Sequence, residues 1–496
     1  MTLSKGFKSI MDTVKAEIWS QTTGKVALML LILLVALGIA AAIMLPPNFV
    51  QVWNDLKPWG LKPKNVPPQW ASIFGYACAP HYEVDLRGVT YRTNITGNEV
   101  VIRYILTYDF IANGYPQGIA VSIDGFSLSA AQSFKVTVNI IRPDNVKVPE
   151  VISYLTIPIG MNIRVDGALL NPDSMKLAST LVTLYPQLLT IANVYDIAMK
   201  YTIYLFSKFS NATGILPLTG TYKVEVIVSA MYSNIPTAKD VDKLITAIRS
   251  SNSFGFAIIG TCYGALGTDY RGRDLFEALF FGLPIALLIG FGTAVATTII
   301  GLFAGLVSGY YGGLIDEFIQ RFVDVLGSIP QLPILILLAV AIQQTYGAHP
   351  NKPFIMLMAI LGALIVFGWG GLAIVVRSMT LSIKSEAYVE AANVVGASNW
   401  WIMRKHIIPQ LLPYIAAQMV YATPSAILIE AGLSILGLQH GLPTWGGVLA
   451  DARIYGNIAY WWWIFPPGIA ISVTSLTFVL LGLALERIAE PRLRRV

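Results

Sequence analysis

Residues 386–413 read EAYVEAANVVGASNWWIMRKHIIPQLLP and sit between two apolar runs, each long enough to cross a bilayer. A segment carrying Glu386, Glu390, Arg404, Lys405 and His406 belongs in water. Residues 387–395 are good helix formers, Gly396 interrupts them, and a second helical stretch runs to the breaker Pro409. The spacing predicts two short helices joined at a glycine. A short helix standing off a membrane surface, with small Ala391 and Ala392 beside the acidic Glu390, suits docking in a groove on another protein. Mechanical coupling between subunits needs that kind of contact; the plainer alternative is an amphipathic linker in the cytoplasm.

Composition agrees with the membrane setting. With 55% hydrophobic and only 12% charged residues among 496, the chain is too apolar for an ordinary soluble protein. Its net charge of +6 comes from 34 Lys and Arg against 28 Asp and Glu. The basic residues gather beside the apolar runs, as the positive-inside rule expects, which points to membrane lipid and away from nucleic acid. Four His and two Cys are too few and too scattered for a zinc or iron–sulfur site, so no metal is expected. Thr22-Thr23-Gly24-Lys25 lacks the upstream glycine and the following Ser or Thr of a phosphate-binding loop. With no nucleophile–base grouping either, no catalytic residue is assigned.

In chain order, residues 1–25 alternate Lys and apolar positions and read as a helix on the cytoplasmic surface. Residues 26–45 form an unbroken apolar run, the first span over 26–48; a cleaved signal is the competing reading, although the run is longer than a signal needs. Residues 49–272 turn to period-two patterning, as in 100–106 and 222–228, with a helical stretch over 172–209. This predicts an extracellular β-sandwich, immunoglobulin-like in its spacing, with a helical insertion. Cys78 and Cys262 bracket the domain and read as a disulfide or as two buried thiols. Asn94 and Asn211 open Asn-X-Thr triplets and are glycosylation candidates. Further spans are predicted over 275–306, 330–342, 354–376, 411–436 and 464–485, giving a multi-pass protein of the plasma membrane with both termini cytoplasmic. Glycines 282, 290, 292, 301 and 305 are expected to allow close helix packing. Arg321 is expected to pair with Asp324, residues 460–463 to form an aromatic belt, and Pro466-Pro467 to kink the last span. Glu430 lies at membrane depth, either on a translocation path or in a structural hydrogen bond.

Three stretches resemble one family. Glu390-Ala391-Ala392, Gly396 and Ile408-Pro409 have the spacing of the EAA loop of ABC-importer permeases; His406 and Ile408 depart from its general pattern as the dipeptide, oligopeptide and nickel branch does. GTDYRGRD at 267–274 is similar to a segment preceding the second span in that branch, and ILIEAGLSILGLQHGLPTWGGVLAD at 427–451 resembles it again. The resemblance covers 266–496 and, more loosely, 1–46. It implies a C-type inner-membrane subunit with the type I importer fold of six spans, the last five over 273–496. It implies four kinds of neighbour: a second homologous permease, two ATP-binding subunits that hold ATP and Mg, an extracellular substrate-binding protein, and lipid. This chain itself would bind no cofactor. Glu390, Ala391, Ala392, Gly396 and Pro409 would form the ATPase-coupling surface. Asp269, Arg273 and Asp274 would form an outer-surface motif, mutually paired there together with Arg271. The substrates implied are peptides, with oligosaccharide or nickel as alternatives. A membrane-anchored receptor or adhesion protein acting through its exterior domain is the reading from a different class. The domain at 49–272 departs from the family's short first loop, so it is either a docking platform or lid, or a spacer.

Overall fold

The computed structural model describes residues 19, 21–111, 114–129, 131–156, 162–210, 214–347, 349, 352–457 and 459–489. The surface helix expected over 1–25 lies almost wholly outside the described residues, as do Asn211 and the arginines at 492, 494 and 495. Two compact units emerge, Asp55–Phe276 and the remainder.

The second unit opens with α1 (Thr22–Met44), an apolar helix of 23 residues. That is about 34 Å, enough to cross the hydrocarbon core.

The strands of the first unit are β1 (Tyr82–Asp85), β2 (Tyr91–Thr96), β3 (Glu99–Phe110), β4 (Gly118–Asp124), β5 (Phe126–Ser129), β6 (Ala131–Ile141) and β7 (Lys147–Thr156). They continue as β8 (Asn162–Val165), β9 (Ala168–Leu170), β10 (Ser207–Ser210), β11 (Gly214–Pro217), β12 (Gly220–Tyr232) and β13 (Ser253–Ile259). A five-stranded sheet, β2-β3-β12-β6-β7, and a four-stranded sheet, β1-β13-β4-β9, are antiparallel throughout; β5-β8 and β10-β11 are ribbons. Alternation sets the faces of β3: Val100, Ile102, Tyr104, Leu106, Tyr108 and Phe110 are all buried, the residues between them exposed or partly so. They share one core with Phe254 and Phe256 of β13, so the sheets pack face to face. The helical insertion is α2 (Ser174–Leu184), α3 (Val194–Met199) and α4 (Tyr201–Leu205). Buried Arg142 fastens it, donating to the carbonyls of Leu205 at 3.2 Å and Ser207 at 2.6 Å while stacking on Tyr185. Between β12 and β13 runs α5 (Ala238–Ser250), started by a capping box of Thr237 and Asp240. Cys78 and Cys262 are joined as a disulfide with Cα atoms 5.1 Å apart, tying the chain just before β1 to the chain just after its neighbour β13.

The remaining helices are α6 (Leu275–Tyr311), α7 (Gly313–Ser328), α8 (Gln331–Tyr346), α9 (Lys352–Gly368), α10 (Gly370–Lys384), α11 (Ala387–Val394), α12 (Asn399–Ile402), α13 (Ile408–Ile435), α14 (Trp445–Tyr455) and α15 (Trp461–Ala489). Among the described residues five stretches are long and apolar enough to span: Thr22–Met44, Leu275–Tyr311, Lys352–Lys384, Asn399–Ile435 and Trp461–Glu486. The expected six are reached only if α7 and α8, bent by 73° at their junction, count together. The physical reason is length, since the 16 residues of α8 reach about 24 Å, short of a full crossing. Helix α6 outruns its expected end and stops at Gly312 and Gly313, whose φ of 69° and 55° only glycine adopts easily.

Several local expectations are corrected. Arg321 meets Glu317 at 3.8 Å, not Asp324, because an acid one turn toward the N-terminus is the better-oriented partner. Trp462 and Trp463 turn into the protein instead of forming an outer belt. A Cβ at Gly290 would meet Ile427 at 2.7 Å and one at Gly301 the Trp369 carbonyl at 2.9 Å; Gly282 and Gly305 are tighter still, but Gly292 faces open space.

Candidate functional site

The loop at 386–413 folds as two helical pieces around a glycine. The Glu386 carbonyl accepts the first bond of α11 from Glu390 N–H at 3.1 Å, and Gly396 sits at φ 86° with nothing near its missing Cβ, so the backbone bend is what requires glycine there. Pro409 does not stop the second piece. It lies in the first turn of α13, and a wide π-turn at Met403–Ile407 joins it to α12, taking up the ladder disturbed by the missing N–H.

The two faces of this loop differ sharply. Val394 and Val395 are 87% and 88% exposed, with Tyr388, Trp400 and Trp401 also in the open. Glu390 and Ala391 are exposed beside them, and Glu390 makes no ion pair among the described residues. On the other face Val389, Ile402, Met403 and Ile407 are buried against Leu306, Tyr310 and Val376 of α6 and α10. Ala392 packs on that inner cluster, so only Ala391 of the small pair belongs to the open surface.

Polar ties reinforce the inner face. The Tyr310 hydroxyl donates to Asn399 Oδ1 at 3.1 Å, and Lys384 Nζ donates to the Tyr310 carbonyl at 2.7 Å. Asp316 is clasped by Arg377 through two hydrogen bonds of 2.5 Å, and Ser308 donates to the same carboxylate. One connected assembly therefore runs from α11 and α12 into the ends of α6 and α10. An exposed apolar surface on a firmly backed helix can take up force from a partner and pass it on. The contacts among Asn399, Tyr310 and Lys384 are not legible in the sequence, because the three are far apart along the chain.

Glu430, 2% exposed on α13, is held from three sides. Its Oε1 accepts from Ser434 Oγ at 3.0 Å, His440 Nε2 at 2.9 Å and Thr444 Oγ1 at 2.9 Å. His440 Nδ1 in turn accepts the Leu442 N–H at 3.1 Å, which places the ring proton on Nε2. Thr444 also caps α14 by accepting from Gly447 N–H, and the Trp445 indole donates to the Leu279 carbonyl of α6 at 3.0 Å. The carboxylate thus joins α13, the 436–444 connection and α14. Ser434, one turn from Glu430, was the one partner that spacing could have revealed. His440 also lines a cavity of about 400 Å³ with Asn54, Lys352 and Gln439.

The motif at 267–274 is not a surface cluster. Asp269 and Arg273 are 2% and 3% exposed, with Arg273 Nε donating to Asp269 Oδ2 at 2.5 Å. Asp269 Oδ1 accepts the backbone N–H of Arg271 and of Arg273, at 2.8 and 2.9 Å, so the carboxylate folds the turn around itself. Arg271 contacts the Tyr270 hydroxyl instead of a carboxylate, and Asp274 caps the start of α6 at Phe276 N–H. Asn94 is exposed on the edge strand β2. Glu83, bonded to His81 and then to Lys62, has its carboxyl pulled down to about 2.

Comparison with known proteins gives this arrangement its context. Residues 298–495 match the family described as the binding-protein-dependent transport system inner membrane component. The dipeptide transport system permease protein of Bacillus subtilis is 37% identical over 231 residues, 46% of this chain and 69% of that one. The chain belongs to this permease family. The oligopeptide transport system permease protein of Haemophilus influenzae is 36% identical over 46% of this chain and 71% of its own length. The glutathione transport system permease protein of Pectobacterium atrosepticum is 35% identical over 46% and 73%. These alignments span less than half of this chain, so the β unit cannot be read from the permease family as a whole.

Proposed function

We propose that this permease carries peptides into the cell as one subunit of an ATP-driven importer, and that residues 386–413 receive the motion of the ATP-binding subunits. The exposed face of Tyr388, Val394, Val395, Trp400 and Trp401, backed by a buried core, is the observation that carries the coupling half of this reading. Peptide as cargo rests on the relatives, which are named for dipeptide, oligopeptide and glutathione transport.

In this reading the ATP-binding pair sits in the cytoplasm against α11, with Glu390 pairing with a basic side chain there and Ala391 allowing close approach. Closure of that pair moves α11 and α12. The Tyr310–Asn399 and Lys384–Tyr310 bonds pass the movement to α6 and α10, whose displacement turns the spans between inward-facing and outward-facing. Gly396 supplies the bend and Pro409 the fixed start of α13. Glu430 holds the 436–444 connection in place. A second permease completes the pathway, and a binding protein delivers substrate to the face on which Asp55–Phe276 lies outside, with both chain ends inside. That β unit serves as a platform for the binding protein. A disulfide between its only two cysteines agrees with an oxidising exterior.

The test is uptake into proteoliposomes containing this chain with its partner permease, ATP-binding subunits and binding protein. Labelled peptides should enter only with ATP present. Uptake of a sugar oligomer or nickel instead, with peptides ignored, would overturn the substrate assignment; ATP-independent passage would overturn the coupling.

A further inference from the structure

Between Pro68 and Gly75 the β unit carries a short 3-10 helix, Gln69–Phe74, which buries Ala71 and leaves its larger apolar side chains exposed. Ile73 is 80% and Phe74 73% exposed, and Trp70 and Tyr76 are each about two-fifths exposed. Four such side chains within seven residues form one exposed apolar cluster. The element is rigid because the chain on both sides of it is pinned. Tyr263 N–H donates to the Pro67 carbonyl at 2.9 Å, Gln69 N–H to Gly264 at 3.1 Å, and the Trp70 indole to Ala265 at 2.7 Å. Beyond it, Ala79 N–H donates to Thr261 Oγ1 at 2.8 Å, and the Cys78–Cys262 disulfide closes the base.

We infer that this knob inserts into the lipid interface of the membrane in which the chain is anchored. Its occupant follows from where it is tied. Gly267, two residues beyond the carbonyl that holds Trp70, accepts the N–H of Leu275 at 3.1 Å, and Leu275 is the first residue of the spanning helix α6. The knob is therefore tied to the segment that leads directly into a helix long and apolar enough to span. Composition agrees: neither residues 65–80 nor residues 250–268 contain a single Asp, Glu, Lys or Arg. Trp, Tyr and Phe beside an aliphatic side chain are the groups that favour the boundary between headgroups and acyl chains.

Charge at the near end of the same pairing fits anionic headgroups. Asn65 N–H bonds to the Asp269 carbonyl, and the residues next to these two, Lys64 and Tyr270, with Arg271, line a cleft of about 320 Å³. Lys64 and Arg271 have no carboxylate partner among the described residues. Cations beside an apolar wedge are the two signals that together hold a surface element on a lipid face.

The inference needs only that the chain is membrane-anchored, so its failure is separable from failure of the importer reading. The native disulfide leaves no free thiol, and Ile73→Cys or Phe74→Cys supplies a single attachment point for a nitroxide in the full chain. The reference is Ile235→Cys, a 76% exposed site in the same unit, just beyond Tyr232, whose N–H bonds to Asn98. Tyr108 packs on Tyr82 while Tyr104 packs on Phe254, so Asn98, ahead of β3, lies at the far end of the sandwich from the disulfide. In vesicles of phosphatidylcholine with phosphatidylglycerol, labels at 73 and 74 should lose accessibility to a water-soluble nickel chelate while remaining accessible to oxygen. The label at 235 should stay open to the chelate. Chelate accessibility at 73 and 74 equal to that at 235 would overturn the inference. So would shielding from chelate and oxygen together, the signature of a protein partner on the knob.

Discussion

Replacing Glu430 separates a knot from a pathway charge. Glu430→Ala leaves the Ser434 and Thr444 hydroxyls and the His440 Nε2–H without their acceptor in a place that water does not reach. An orphaned buried donor costs about 1–3 kcal/mol, so three amount to about 3 kcal/mol even at the low end. At about 2–4 °C per kcal/mol for a unit of this size, the melting midpoint should fall by about 6–12 °C. Glu430→Gln keeps an oxygen in the position of Oε1 and should cost less than half as much. The assay is thermal unfolding of the purified chain in detergent, with peptide uptake measured in parallel for the Gln variant. Wild-type melting for Glu430→Ala would refute the knot. So would a Gln variant that melts normally yet transports nothing, because the charge itself would then be at work on the path.

Other consequences are as direct. Tyr310→Phe keeps the ring in its core and removes only the bond to Asn399, about 1 kcal/mol, so ATP hydrolysis by the assembled importer should continue while peptide carried per ATP falls about fivefold. Reducing the Cys78–Cys262 disulfide should destabilise the β unit by about 2–5 kcal/mol, read as faster proteolysis within Asp55–Phe276 and an unchanged membrane unit. The Glu83 carboxyl is held down to about 2, chiefly by the His81 hydrogen bond and then by Lys62, so its contribution is complete above the ordinary carboxylate range and fades as pH falls toward 2. Melting of wild type and Glu83→Gln should accordingly differ most near neutrality and converge in strong acid.

What could be read in the chain depended on the range of the interactions involved. The helix–glycine–helix form of 386–413 is local, set by helix formers and one residue that tolerates φ of 86°, and the sequence displays it. Strands β3 and β12 were visible because one face is buried and alternation follows. Strands β4 and β13 are covered on both sides, and a continuous apolar run has no strand period to show. Helix α5 has a locally encoded start in the capping box of Thr237 and Asp240. Burial of the Asp269–Arg273 pair could not be seen in spacing alone, because four charges in eight residues look like a surface. The same holds for Glu430, whose partners at 440 and 444 depend on how a connection folds back. The inward turn of Ala392 belongs to the same class, decided by what α6 and α10 place beneath it.

That turn also decides where to probe the central claim, that residues 386–413 take their motion from the ATP-binding subunits. Val395 is 88% exposed on the open face, and Val395→Cys would be the sole free thiol. With the ATP-binding subunits co-expressed, a short bifunctional linker should join position 395 to one of them, with a yield that changes when ATP is added. A thiol that reacts readily from the cytoplasm but never crosslinks to an ATP-binding subunit, with or without ATP, would contradict the account.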